Sequence, residues 1–152
     1  MDSSPIYPVR DPAGNTRLVN RDAPAVGASS VLIVEDNDKN MKLVRDLLQF
    51  AGIPTLEAST GEQGIELARE HRPRAILLDV QLPTLSGLEV LEVLRKDERT
   101  AGIVVIAVTA YAMSGDRERL IAAGFDGYLS KPIDVRTFVA DVERYAAAAR
   151  VG

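Results

Sequence analysis

Five times between Val31 and Ala146, a short apolar run of strand length gives way to a stretch whose apolar residues recur at helical spacing. This alternation narrows the possible folds more than any other feature of the chain. The strand runs are Val31–Val34, Ile53–Glu57, Ala75–Asp79, Ile103–Val108 and Tyr128–Ser130. Between them, Met41, Val44, Leu47, Leu48 and Ala51 form one helical stripe, with Asp36 or Asn37 as cap and Gly52 as stop. Ile65 and Ala68 point inward from a helix over Gly61–Glu70, and Leu88, Leu91 and Leu94 share a face of the next. A fourth helix covers Ser114–Ala123, and a fifth carries Val135, Phe138, Val139, Val142 and Tyr145 or Ala146. Runs that are apolar at every position suit strands buried on both faces of a parallel sheet. Pro54 cannot donate to a ladder, which places the second strand at an edge. The expected fold is therefore α/β: a five-stranded parallel sheet in the order 2-1-3-4-5, with helices on both faces.

With 152 residues the chain has room for one domain with a real core. Residues 29–152 are assigned to it. Residues 1–28, broken by Pro5, Pro8, Pro12 and Pro24, are expected to be a flexible extension. Asp11–Asn15 could turn between Ile6–Arg10 and Thr16–Asn20, so a hairpin docked on the domain or on a partner is the alternative. A formal net charge of −4 gives no nucleic-acid surface, which needs clustered Lys and Arg. The absence of cysteine removes disulfides and thiolate metal sites. No apolar run nears the roughly 20 residues that cross a bilayer, and the N-terminus lacks the pattern of a signal peptide. A cytoplasmic location, with no membrane contact, is the expectation.

In the proposed topology every strand opens its carboxyl end onto one rim. Strand one brings Glu35 and Asp36, strand three Asp79, strand four Thr109 and strand five Lys131. Two carboxylates about 5 Å apart repel by roughly 3 kcal/mol at an effective dielectric near 20. One lysine does not balance three acids, so the arrangement asks for a hard cation, and Mg²⁺ suits oxygen ligands with room for water. A cation, an ammonium, a hydroxyl and a nucleophilic carboxylate together serve phosphoryl transfer. Asp79, from the middle strand, is the best nucleophile candidate. Each signal alone has a bland reading: acidic pairs cap helices, a Thr or Asp after a strand starts a turn, and Lys-Pro is a common dipeptide.

The motifs Val34-Glu35-Asp36-Asn37, Leu78-Asp79-Val80-Gln81-Leu82-Pro83 with Gly87, Val108-Thr109-Ala110 and Tyr128-Leu129-Ser130-Lys131-Pro132 occur in that order. Over Val31–Tyr145 the chain thereby resembles a response-regulator receiver domain of two-component signalling, with the CheY-like fold. The resemblance implies that Asp79 accepts a phosphoryl group from a sensor histidine kinase or a histidine phosphotransfer protein. It implies Mg²⁺ held by Asp36, Asp79 and the Gln81 backbone carbonyl, with Glu35 acting through water. Lys131, Thr109 and the Ala110 amide would meet the phosphoryl oxygens, and the Lys131-Pro132 bond would be cis. Tyr128 would swing inward with Thr109 and couple phosphorylation to a face made by helix four, strand five and helix five; a half-buried strand aromatic with a wet hydroxyl is its plain alternative. Gln81 and Tyr111 would flank the site and tune hydrolysis. The Glu35-Asp36 pair departs from the two aspartates of many receivers. With Asn40-Met41-Lys42 and Tyr111-Ala112-Met113, it is similar to single-domain regulators of the DivK type and to receivers of hybrid kinases.

On this reading the protein is a phosphoacceptor rather than an enzyme, apart from slow autodephosphorylation, and a monomer or weak homodimer. Only seven residues follow Tyr145, so output is expected through contact with an unknown downstream protein, phosphate relay to another protein, or buffering of a kinase's phosphate. Three other readings compete. A Mg²⁺-dependent phosphatase of the haloacid-dehalogenase class would have an acid where Gln81 stands. A flavodoxin-like cofactor binder would bring phosphate against Glu35-Asp36, which would repel it. A receiver-shaped module that ignores phosphorylation would have no use for Asp79, Thr109 and Lys131. His71, the single histidine, is expected to be exposed and to have no part in the chemistry.

Overall fold

The computed structural model describes residues 6–10, 16–20, 30–110 and 114–151. In chain order these form β1 (Ile6–Arg10), β2 (Thr16–Asn20), β3 (Val31–Val34), α1 (Asp38–Phe50), β4 (Thr55–Ala58) and α2 (Gly61–His71). There follow β5 (Ala75–Asp79), α3 (Gly87–Lys96), β6 (Val104–Thr109), α4 (Ser114–Ala123), β7 (Gly127–Ser130) and α5 (Phe138–Val151). The sheet order is β2-β1-β4-β3-β5-β6-β7. Its last five members pair in parallel, with Leu32 opposite Ile76 and Leu78 opposite Ala107. Among those five, the order is the 2-1-3-4-5 expected from the alternation of elements.

Alternation along each strand divides the core in two. Leu32, Val34, Ile76, Leu78, Val105 and Ala107 face α2, α3 and α4, where Ile65, Ala68, Val90, Leu91, Leu94 and Leu120 close the layer. Val31, Ile33, Leu77, Ile106 and Val108 face α1 and α5, against Met41, Val44, Leu48, Phe138, Val142 and Ala146. Leu78 is 0% exposed on the central strand. Leu78→Ala is expected to cost about 2–5 kcal/mol, since the sheet cannot collapse into the gap. Urea denaturation measures this, and a midpoint equal to wild type would contradict the packing.

The N-terminal strands pair along their whole length, from Ile6 with Asn20 to Arg10 with Thr16. β1 reaches the sheet antiparallel to β4, with Arg10 opposite Thr55, so the strand that Pro54 was expected to put at an edge has a neighbour on each side. Pro54 itself lies just ahead of the strand and costs it no ladder bond. The connecting residues 11–15 lie outside the described residues. Pro54 precedes β4, and its carbonyl accepts from the Val31 amide at 2.9 Å.

Four side chains sit otherwise than the sequence suggests, the first being Ala51, which is exposed at the C-terminal cap of α1 rather than part of its buried stripe. Leu88 is 40% exposed, because the buried face of α3 runs through Gly87, Val90, Leu91 and Leu94, one position away from it. Val135 is 55% exposed, since it lies in the turn ahead of α5. His71, expected outside, is buried. Helix α2 runs one residue past Glu70, and Arg72 closes it at φ 46°, so His71 falls on the same face as Ala68.

Candidate functional site

The rim at the carboxyl ends of β3, β5, β6 and β7 is shaped by how the helices begin. Asn37, not Asp36, caps α1: its side chain accepts from the Asn40 amide at 3.0 Å. Both acids of the Glu35-Asp36 pair are therefore left in the loop between β3 and α1. Glu35 is buried and anchored by its own amide, which donates to the Ala58 carbonyl at 3.0 Å, whereas Asp36 is exposed.

Asp79 is the last residue of β5 and only 4% exposed. Its Oδ1 accepts from the Gln81 amide at 2.9 Å, and its Oδ2 from Lys131 Nζ at 3.2 Å. The same ammonium lies 3.1 Å from Glu35 Oε1. Lys131 is brought there by its backbone, whose amide donates to the Thr109 carbonyl at 2.8 Å. The Lys131-Pro132 bond that follows is cis. Thr109 ends β6, buried, with Ala110 exposed just beyond it.

Glu35, Asp36 and Asp79 each offer a carboxylate oxygen, and these atoms lie within 4.8 Å of one another. Burial first, and then the neighbouring Asp79 carboxylate, push the Glu35 carboxyl up to about 7 against the pull of Lys131. Burial by itself would lower the Lys131 ammonium. Its hydrogen bond to Glu35 and the charge of Asp79 outweigh that and hold it above the usual lysine range. Among the described residues, none hydrogen-bonds to the buried Glu35 Oε2. An orphaned carboxylate oxygen beside two more acids, with one ammonium among them, fits a hard cation bound through oxygen.

Tyr128 in β7 is half-buried, and Tyr111 lies outside the described residues. Two neighbours of Tyr128 have no signature in the sequence. Tyr145, read there as one position of an apolar stripe, donates its hydroxyl to the Tyr128 carbonyl at 3.4 Å. Arg117 carries its guanidinium 5.3 Å from the Tyr128 ring centroid. Neither spacing is a local one, so only the docking of the helices reveals them.

The family model described as the response regulator receiver domain matches residues 31–143. The polar-differentiation response regulator DivK of Brucella anthropi is 51% identical over 116 residues, which cover 76% of this chain and 94% of that protein. The receiver domain of sensor histidine kinase PA1611 from Pseudomonas aeruginosa superposes with a TM-score of 0.72 at 32% identity. The match covers 79% of this chain and 98% of that one, and that structure has a magnesium ion coordinated in its active-site cleft. The receiver domain of Ssk1 from Saccharomyces cerevisiae, solved with the histidine phosphotransfer protein Ypd1, gives a TM-score of 0.72 at 26% identity, covering 79% of this chain and 90% of that one.

Proposed function

We propose, because this chain belongs to the response regulator receiver domain family, that Asp79 is the residue through which it receives its phosphoryl group. Its place in phosphorylation-based two-component signalling follows from that membership. The observation that carries the assignment of Asp79 is the meeting of Glu35, Asp36 and Asp79 within 4.8 Å, with Lys131 reaching two of them from just beyond the end of β7. An Asp79 carboxylate oxygen forms the new P–O bond as the donor histidine's P–N bond breaks. The donor is a sensor histidine kinase or a histidine phosphotransfer protein, as the Ypd1 complex of the yeast receiver supports.

Asp36, Asp79 and the Gln81 carbonyl would hold Mg²⁺, with Glu35 assisting. When bound, the ion supplies charge neutralisation for the incoming phosphoryl oxygens. The chain's own groups do the rest. Lys131 offsets negative charge on one oxygen, while the Thr109 hydroxyl and the Ala110 amide donate to the others. Incubation with acetyl phosphate and Mg²⁺, followed by peptide mapping in a mass spectrometer, tests the assignment. Phosphate on Asp79 supports it, and phosphate elsewhere or nowhere defeats it.

Lys131 also repels a cation in the acid cluster. Lys131→Ala is therefore expected to tighten magnesium binding by about tenfold, a small part of the full Coulomb term at this separation. The same change slows phosphoryl uptake, since an oxygen partner is lost. Calorimetric titration reads the affinity, and weaker binding in the variant would contradict this placement of the lysine.

The chain acts as an acceptor and not as a turnover enzyme, in the cytoplasm. Among the described residues no helix is long and apolar enough to cross a membrane. Tyr128 is the switch: its ring turns inward with Thr109 on phosphorylation, which biases one of two conformations. The output face comprises α4, β7 and α5, where a cavity of about 310 Å³ is lined by Tyr128, Ser130, Asp134, Thr137 and Tyr145. A downstream protein binds there.

A further inference from the structure

Tyr128 is held from both layers of helices. From α5, Tyr145 donates to the Tyr128 carbonyl. The Tyr145 ring lies so close to Gly127 that a Cβ on that glycine would come within 2.5 Å of it. These contacts act on the backbone of β7. The Tyr128 side chain packs on the opposite layer, against the core that includes Leu120 of α4. There the exposed Arg117 places its guanidinium carbon 5.3 Å from the ring centroid. That is within the roughly 6 Å over which a cation is attracted to the negative face of an aromatic ring.

We infer that Arg117 is a positioning residue for Tyr128: its cation holds the ring against α4 and so sets how often the ring turns inward in the unphosphorylated protein. The inference rests on the switch role proposed for Tyr128. The attraction exists only while the ring lies beside the guanidinium, so it favours one ring position over the other. A contact made in one of two states fixes their ratio. At an exposed site a cation–ring contact shifts such a ratio by about two- to fivefold. The contacts from Tyr145 fall on the β7 backbone and not on the Tyr128 ring.

The full chain labelled with 3-fluorotyrosine tests this by fluorine NMR, with Tyr128→Phe identifying the Tyr128 resonance. In wild type the resonance is expected to move when acetyl phosphate and Mg²⁺ are added. In Arg117→Ala it is expected to start part of the way along that path before any phosphate is added, with the inward population raised about two- to fivefold. Arg117→Lys, which keeps a cation, is expected to stay close to wild type. A resting resonance in Arg117→Ala that coincides with wild type would overturn the inference, as would a Lys variant displaced as far as the Ala variant. If the wild-type resonance stays still while mass spectrometry shows phosphate on the protein, the switch role itself falls, and the positioning role with it. If no phosphate is taken up at all, the acceptor assignment fails first.

Discussion

Asp79→Asn is expected to take up no phosphoryl group from acetyl phosphate under conditions that load the wild-type chain. The substitution is nearly isosteric. An asparagine oxygen can still accept from the Gln81 amide, which sits 2.9 Å from Asp79 Oδ1, and β5 keeps its pairing with β6. What disappears is the negative oxygen that attacks phosphorus. The variant also removes one of three mutually repelling acids, two of them buried. Its urea midpoint without Mg²⁺ is thus expected to equal or exceed that of wild type, which separates lost chemistry from lost folding. Intact-mass spectra of both proteins decide the matter. Equal phosphate incorporation in the variant, on Asp36 or any other group, would move the acceptor elsewhere.

Gly87→Ala is expected to lower stability and phosphoryl uptake together, although alanine is the better helix former. Gly87 opens α3, and its amide donates to the Val80 carbonyl at 3.0 Å, drawing the loop after β5 back onto the strand. A Cβ there would come within 2.6 Å of the Asp79 carbonyl oxygen and of Val80 Cα. Both are backbone atoms and have no rotamer into which to retreat. Helix propensity favours the change by at most about 1 kcal/mol. Forcing a methyl into filled space costs about 1–3 kcal/mol and shifts the backbone. The steric effect is the larger, and the segment that moves carries Asp79 and the Gln81 amide. Urea denaturation beside the acetyl phosphate assay measures both losses. A variant as stable as wild type would mean that this loop has slack the packing does not show.

The Gly87 contact marks a boundary between two kinds of information. Position 87 is visible in the sequence as part of the Asp79 motif, but its reason is a close approach of chain segments that no local pattern describes. The same holds for Asn37. Either it or Asp36 could cap α1, and the choice of Asn37 leaves Asp36 available at the rim. Leu88 and His71 show the limit from the other side. Apolar periodicity locates a helix well and its buried face only to within a residue, because a step of about 100° per residue lets a neighbouring position compete. Val90 won that competition over Leu88 once α3 settled against the sheet.

From Val31 onward, strand and helix identity, the order of the five parallel strands, and the residues delivered to the rim were determined by the sequence alone. Period and apolarity act over a few residues, and the handedness of crossovers then leaves few topologies. The tertiary structure decided that Lys131 lies between Glu35 and Asp79, that Arg117 meets the Tyr128 ring, and that Arg10 extends the sheet beside Thr55. Those pairings join residues distant along the chain. Their energies depend on separations of a few ångströms, which are set only when whole elements pack against one another.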